Sequence, residues 1–278
     1  MAENEWVTGK VALKIGGIPV ELEMTVPANP VKPHRMLPIF QQMANSFTEV
    51  GVQAVEAEGR SISCKAGCGA CCRQPVPISE VEVYQISELV EAMPEPRRSA
   101  VRKRFADAVD HFREHGLIDL LKEHFEYGVP KTSREQMEEA MDVVMKFFYE
   151  GIPCPFLEDE SCSIHQNRPI VCREYLVTNP AEFCAKPSGK TIKRVDLPIK
   201  PSKTVEHLGR TGRMRDEGPL LLILALELAK KYPENFPEKT GREWMADFFG
   251  ELTKTDVEQG TRPARSTRGR QKKRKLRA

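Results

Sequence analysis

Four cysteines fall within nine residues: Cys64, Cys68, Cys71 and Cys72, in the run CKAGCGACC. The other four, Cys154, Cys162, Cys172 and Cys184, form a second cluster about eighty residues later. Thiols this dense form disulfides, carry out redox chemistry, or hold soft metal ions as thiolates. Gly67 and Gly69 let the backbone curl so that side chains converge, and leave room for backbone N–H groups to approach sulfur.

Disulfide staples suit short extracellular domains that cannot build a core. This chain has 278 residues and 40% apolar content, enough for an ordinary core. Its opening residues, MAENEWVTGK, contain no apolar signal region, and its longest apolar run, Leu220–Leu226, is far too short to span a membrane. These features read as a cytoplasmic protein away from the membrane, where a dense cysteine pattern points to metal or catalysis. The spacings are C-x3-C-x2-C-C and C-x7-C-x9-C-x11-C. Eight thiols can supply two four-thiolate sites, or one iron–sulfur cluster plus spares, and thiolate softness suits zinc and iron–sulfur alike. Neighbouring side chains in an extended segment point to opposite faces. Cys71 and Cys72 are therefore expected to serve two centres or a polynuclear cluster, unless one of them is not a ligand. The two clusters are expected to meet in space, because neither alone offers four unconstrained ligands.

Other residues flank the thiols. His165 follows Cys162 by three positions and is read first as a packing or hydrogen-bonding residue. Arg73, Arg168 and Arg173 lie beside cysteines, either offsetting thiolate charge or making surface ion pairs. Pro153, Pro155 and Pro169 fix φ and stiffen the loops. Phe156 and Tyr175 are read as core residues packed over the site.

The segments CKAGCGACCR and CPFLEDESCSIHQNRPIVCREY together resemble the YkgJ-type cysteine-cluster family, a zinc- or iron-chelating domain. The shared parts are the closing pair Cys71-Cys72, Cys154-Pro155-Phe156-Leu157, Cys162-Ser163-Ile164-His165 and Arg168-Pro169-Ile170-Val171-Cys172-Arg173. The resemblance covers about residues 62–185, and the first spacing here has three intervening residues where the family has two. It implies metal binding, and more loosely a link to flagellin lysine N-methylases, which share such a cluster. No phosphate-binding glycine loop of the GxGxxG or GxxxxGK[ST] type accompanies it. All eight cysteines are candidate ligands. Cys68, Cys71, Cys154, Cys162 and Cys172 match both the spacing argument and the resemblance. Cys72 ranks next, then Cys64, then Cys184.

The elements that must position these residues are mostly helical. Val11, Leu13 and Ile15, then Gly16-Gly17, then Ile18, Val20, Leu22, Met24 and Val26 read as a β-hairpin, followed by a proline-rich linker. Apolar residues at helical spacing fill 36–57. Ser79 to Glu82 is a capping box opening a helix to about Ala92, and a long helix follows Pro96 to about Glu114. A shorter helix is predicted over 117–127. Ser133 to Gln136 opens another, stopped at Gly151. The basic run 97–104 reads as a solvated face. Gly218-Pro219 is expected to open an apolar helix to about Lys231, and Thr240 to Glu243 caps a last helix. The expected class is α+β, mostly helical: a hairpin and linker over 1–35, a cysteine-cluster body over 36–253 with its metal-binding core at 62–185, and a disordered basic tail over 254–278.

The last eighteen residues carry nine Lys or Arg and no acid, leaving 33 basic against 40 acidic residues in the rest. Such a block does not fold alone. Residues 261–278 read either as a solubilising, mobile tail or as a contact for nucleic acid or an acidic protein surface, without sequence readout since no aromatic ring is available for stacking. The leading reading is a metal-binding protein holding zinc, iron or an iron–sulfur centre. Two others stand beside it: an iron–sulfur-dependent protein-modifying enzyme of the lysine N-methylation type, by the resemblance, and a zinc-stabilised module that binds nucleic acid or ribonucleoprotein.

Overall fold

The computed structural model describes residues 5–15, 18–126, 129, 133–188 and 191–260. The basic tail 261–278 and the Gly16-Gly17 turn lie outside the described residues. Strands β1 (Trp6–Ile15) and β2 (Ile18–Pro27) pair antiparallel, with Lys10 opposite Glu23 and Leu13 opposite Val20. Alternation places Leu13, Val20, Leu22 and Met24 on one face, which packs on the main core, and Val26 is fully inside it.

The proline-rich stretch is stitched to the far end of the chain. Val31 exchanges backbone bonds with Lys239, at 2.8 and 3.2 Å, and its carbonyl accepts the indole N–H of Trp244 at 2.8 Å. A 3₁₀ turn over Pro33–Met36 then leads into α1 (Leu37–Ala57). Here the helical spacing of Phe40, Met43, Ala44 and Phe47 buries one stripe. Phe40 stacks on Phe248 with ring centroids 4.7 Å apart, which contributes about 0.5–1.5 kcal/mol beyond the area buried.

Between the two cysteine clusters lie four helices: α2 (Glu80–Glu91), α3 (Arg97–Glu114), α4 (Leu117–His124) and α5 (Arg134–Tyr149). Both capping boxes form. Ser79 Oγ accepts from the Glu82 N–H while the Glu82 carboxylate accepts from the Ser79 N–H, and Ser133 and Gln136 do the same for α5. Each box stabilises its helix by about 1 kcal/mol. Val101, Phe105, Val109 and Phe112 give α3 its buried stripe, and Phe112 stacks on Phe147 of α5 at 3.7 Å. Its basic run is a solvated, paired face: Arg98 with Glu95, Arg102 with Glu91, Lys103 with Asp107 and Arg104 with Glu158. Helix α4 reaches His124, and the expected end at Tyr127 lies outside the described residues.

The second cysteine region holds a two-residue-per-strand hairpin, β3 (Leu157–Glu158) and β4 (Ser161–Cys162), and two short helices, α6 (Ile170–Glu174) and α7 (Glu182–Ala185). Helices α8 (Pro201–Leu208), α9 (Ala225–Lys231) and α10 (Gly241–Gly260) complete the body, and α10 carries residues 254–260, expected in the disordered tail, as helix. The Thr240–Glu243 capping box forms at the head of α10. One expectation fails here. Gly218-Pro219 does not open a helix directly, because the run starts extended: Ile78 donates to the Leu220 carbonyl and Leu222 to the Val76 carbonyl. Helix α9 begins only at Ala225, after a 3₁₀ turn. These bonds satisfy the backbone of the segment linking the first cluster to α2, and that demand outweighs the local helical pattern.

Among the described residues, no helix is long and apolar enough to cross a membrane.

Candidate metal centre

The first cluster is shaped by its glycines and by a tight turn. Gly67 takes φ +78°, a left-handed conformation that other residues adopt at a cost. Cys71 and Cys72 sit on a 3₁₀ turn, Ala70–Arg73, and not on an extended segment. The opposite-face expectation for this pair is therefore overturned. Successive residues of a 3₁₀ turn are about a third of a turn apart, and the two thiols hydrogen-bond each other.

The second cluster is brought onto this turn by three links. Gly151, at φ +71°, ends α5, and three residues later the Cys154 N–H donates to the Cys72 carbonyl at 2.7 Å. The two-residue turn of the β3–β4 hairpin, Asp159-Glu160, has φ values of 49° and 54°, a left-handed conformation unusual for these residues. Glu160 is held there by a fork from Arg73, with Nη2–Oε1 at 2.6 Å and Nη1–Oε2 at 3.1 Å, and Arg73 also donates to the Gly69 carbonyl. Third, the Gly67 N–H donates to Ser161 Oγ at 3.2 Å. Gly69 permits this approach. A Cβ there would lie 2.6 Å from Glu160 Oε2 and 2.7 Å from Leu157 Cδ1.

The remaining cysteines arrive on short helices. Pro169 precedes α6, whose first free N–H, on Ile170, is accepted by buried Glu82 at 2.8 Å. Cys172 is the third residue of this helix. It keeps some surface as a residue, while its thiol is enclosed. Cys184 lies on α7, where buried Asn179 donates from Nδ2 to its sulfur at 3.6 Å and accepts the Lys193 N–H at 2.8 Å. Cys64 is exposed.

Electrostatics sorts the thiols into two overlapping sets. The enclosed Cys172 feels Cys154, Cys71 and Cys162. Cys154 in turn feels Cys162 and Cys71. Cys64 instead feels Cys71, Cys184 and Cys68, and Cys184 feels Cys68 and Cys71. Cys71 thus belongs to both neighbourhoods. Burial pushes the Cys154 thiol up to about 12 and Cys172 well above its ordinary value, so without metal these groups are neutral.

The chemistry of the surroundings suits thiolates. Backbone N–H groups donate to sulfur at Cys64 from Val177, at Cys154 from Phe156 and at Cys162 from Ile164, each holding the thiol down against burial. In the last two the donor lies two residues beyond the cysteine. The Arg168 charge acts on Cys71 and Cys162. Its Nε is buried and has no partner among the described residues, a donor left over for an anion. Arg173 is buried beside Cys172 and donates to the carbonyls of Arg168 and Gln166 and to Asn45 Oδ1. All eight cysteines are free thiols. No three sulfurs lie mutually within 4.8 Å. A tetrahedral zinc–thiolate set has edges of about 3.8 Å, so metal binding must draw the thiols inward. Beside the first cluster a cleft of about 490 Å³, lined by Cys68, Gly69, Arg73, Tyr149, Gly151 and Glu160, opens to solvent.

The clusters therefore meet, as the spacing argument expects. Of the flanking residues, His165 uses Nε2 to accept from Arg168 Nη1 at 2.8 Å. Phe156 is buried edge-on to Phe105, and Tyr175 carries the Arg194 guanidinium over its ring. Sequence reasoning missed Glu160 and Asn179. Their only local signals were an acid in a tight turn and an Asn-Pro pair, neither of which names a partner.

The CxxCxxCC family model, described as "Putative zinc- or iron-chelating domain", matches residues 63–189, taking in all eight cysteines. No curated protein and no solved structure matches the chain significantly.

Proposed function

We propose that the matched domain chelates zinc or iron through thiolates drawn from both cysteine clusters. Cys71, Cys154, Cys162 and Cys172 form the inner set, and Cys64, Cys68 and Cys184 form an outer set, with Cys71 or Cys72 bridging the two. The observation that carries this reading is the 2.7 Å backbone bond from Cys154 to Cys72, which joins two segments 82 positions apart, with enclosed Cys172 within electrostatic reach of Cys71, Cys154 and Cys162. The match to a zinc- or iron-chelating domain supports it.

A four-thiolate set around a divalent ion is doubly negative. Arg168 and Arg173 offset that charge, and the N–H donors at Cys64, Cys154 and Cys162 stabilise the thiolates. Zinc held this way cross-links structure, whereas an iron–sulfur centre would supply electron transfer. Either way, the chain's own residues bring two distant segments together and enclose the thiols of Cys154 and Cys172.

The test is anaerobic purification of the full chain, with elemental analysis and a visible absorption spectrum. Iron with stoichiometric sulfide and a brown colour marks an iron–sulfur centre, and colourless protein with zinc marks a structural site. Protein free of both metals, with eight thiols that react freely and fail to take up either ion, would remove the proposal.

A further inference from the structure

We propose that His111, His115 and Glu150 form a second metal site, of nitrogen and oxygen donors, that binds a divalent transition ion such as zinc. Among the described residues this is the one group of three or more His, Cys, Asp or Glu whose donor atoms all lie within 4.8 Å of one another. It lies outside the thiol centre, and the zinc- or iron-chelating match, at residues 63–189, does not distinguish it from its surroundings.

Its geometry comes from two helices. His111 lies on α3 and His115, four residues on, is its C-cap residue, so the two sit on one face of the helix end. Their rings stack with centroids 4.2 Å apart and planes 24° apart. His115 Nδ1 lies 2.8 Å from the His111 carbonyl oxygen, which can only accept. Nδ1 of the neutral ring therefore carries the proton and Nε2 carries the lone pair, the tautomer that an Nε2 ligand requires. Glu150 is the residue that caps α5, and its Oε2 lies 2.7 Å from His111 Nε2.

An ion pair between His111 and Glu150 explains two of the three groups. It leaves unexplained why a second imidazole, oriented by its own backbone bond, stacks beside the first. A divalent ion accounts for all three: it replaces the proton shared between His111 Nε2 and Glu150 Oε2, and His115 completes the set. Two imidazoles and a carboxylate suit zinc-class ions, with a fourth position left for water. A tetrahedron with bonds near 2.0 Å has edges of about 3.3 Å, so the His111–Glu150 separation must open from 2.7 Å while His115, within 4.8 Å of both, adjusts toward the same edge. His115 is exposed at the end of its helix and free to make that movement. The bound ion would clamp α3 to the last residue before the Gly151–Pro153 segment that leads to Cys154.

The test compares full-length wild type with His115→Ala and Glu150→Gln, titrated with zinc against a competing chromophoric chelator. Wild type is expected to take up one more equivalent than His115→Ala. Glu150→Gln is expected to hold that equivalent at least ~10-fold more weakly. Cobalt at this site is expected to give ligand-field bands without thiolate charge transfer. Equal zinc uptake by wild type and His115→Ala overturns the proposal. Should a variant unfold, wild type alone decides: zinc must shift the ring nitrogen NMR signals of both His111 and His115, and unmoved signals overturn the site.

Discussion

The peptide N–H of Cys154 donates to the carbonyl of Cys72 at 2.7 Å. The last cysteine of one cluster and the first of the other are thus joined by backbone alone, before any metal is bound. Four helices intervene in the chain between them, so this bond closes a large loop onto the candidate centre.

Removing metal should loosen the body as well as empty the site, because ions held by both segments add their binding energy to folding. Ion present at about a thousand times its dissociation constant contributes about 4 kcal/mol, a melting shift of roughly 8–16 °C for a chain of this size. Calorimetry before and after chelation checks this. An unchanged melting curve after verified metal loss would confine the thiols to a functional role.

Serine at Cys172 or Cys154 should cost the most, since both thiols are enclosed and both belong to the inner set. Loss of about one metal equivalent is expected. Serine at exposed Cys64 should cost less. Metal content measured for each variant at matched purity decides, and a uniform absence of effect would return all eight residues to the status of free thiols.

Metal affinity should rise with pH. Burial keeps Cys154 and Cys172 protonated at neutral pH, so binding must release their protons. Apparent affinity should then fall about tenfold per unit drop in pH for each proton displaced. Titration calorimetry in buffers of different ionisation enthalpy reads the proton count directly. The metal-free chain should behave in the opposite sense. The folded thiol pKa exceeds the unfolded value of 9.0, so their contribution is complete below pH 9.0 and is lost as pH rises toward about 12. A melting temperature that climbed over that alkaline range would contradict the assignment.

Gly69→Ala should weaken the link between the clusters. The added Cβ meets Glu160 Oε2 and Leu157 Cδ1 at 2.6 and 2.7 Å. Both are side-chain tips that can move, so a cost of about 1 kcal/mol is expected, at the low end for overpacking. Denaturant unfolding measures it, and metal affinity should fall alongside. Full retention of both would mean that the Arg73–Glu160 fork yields without consequence.

Much of the fold was legible because its signals are local. The three capping boxes at Ser79, Ser133 and Thr240 need only four consecutive residues each, and all three form. The stripe from Phe40 to Phe47 likewise declares its buried face. The extended start at Leu220–Leu222 was not legible, because it depends on bonds to Val76 and Ile78, far away in the chain. For the site, cysteine identity and spacing were sufficient to nominate the thiols. They were not sufficient to show that Cys71 and Cys72 share a 3₁₀ turn, or that Asn179 holds Cys184, since both depend on backbone geometry that side-chain type does not encode.

The helical insert between the clusters also sets a timetable. Cys72 and Cys154 are 82 positions apart, so a ribosome adding about 5–20 residues per second delivers the second cluster roughly 4–16 s after the first. During that interval Cys64, Cys68, Cys71 and Cys72 are on a chain whose partner thiols do not yet exist. Nascent chains stalled before residue 150 should accept an alkylating label at all four, whereas chains completed with metal should resist it at Cys71. The oxidant and metal-buffer conditions of those seconds, as much as the finished pocket, determine which ion the first cluster meets.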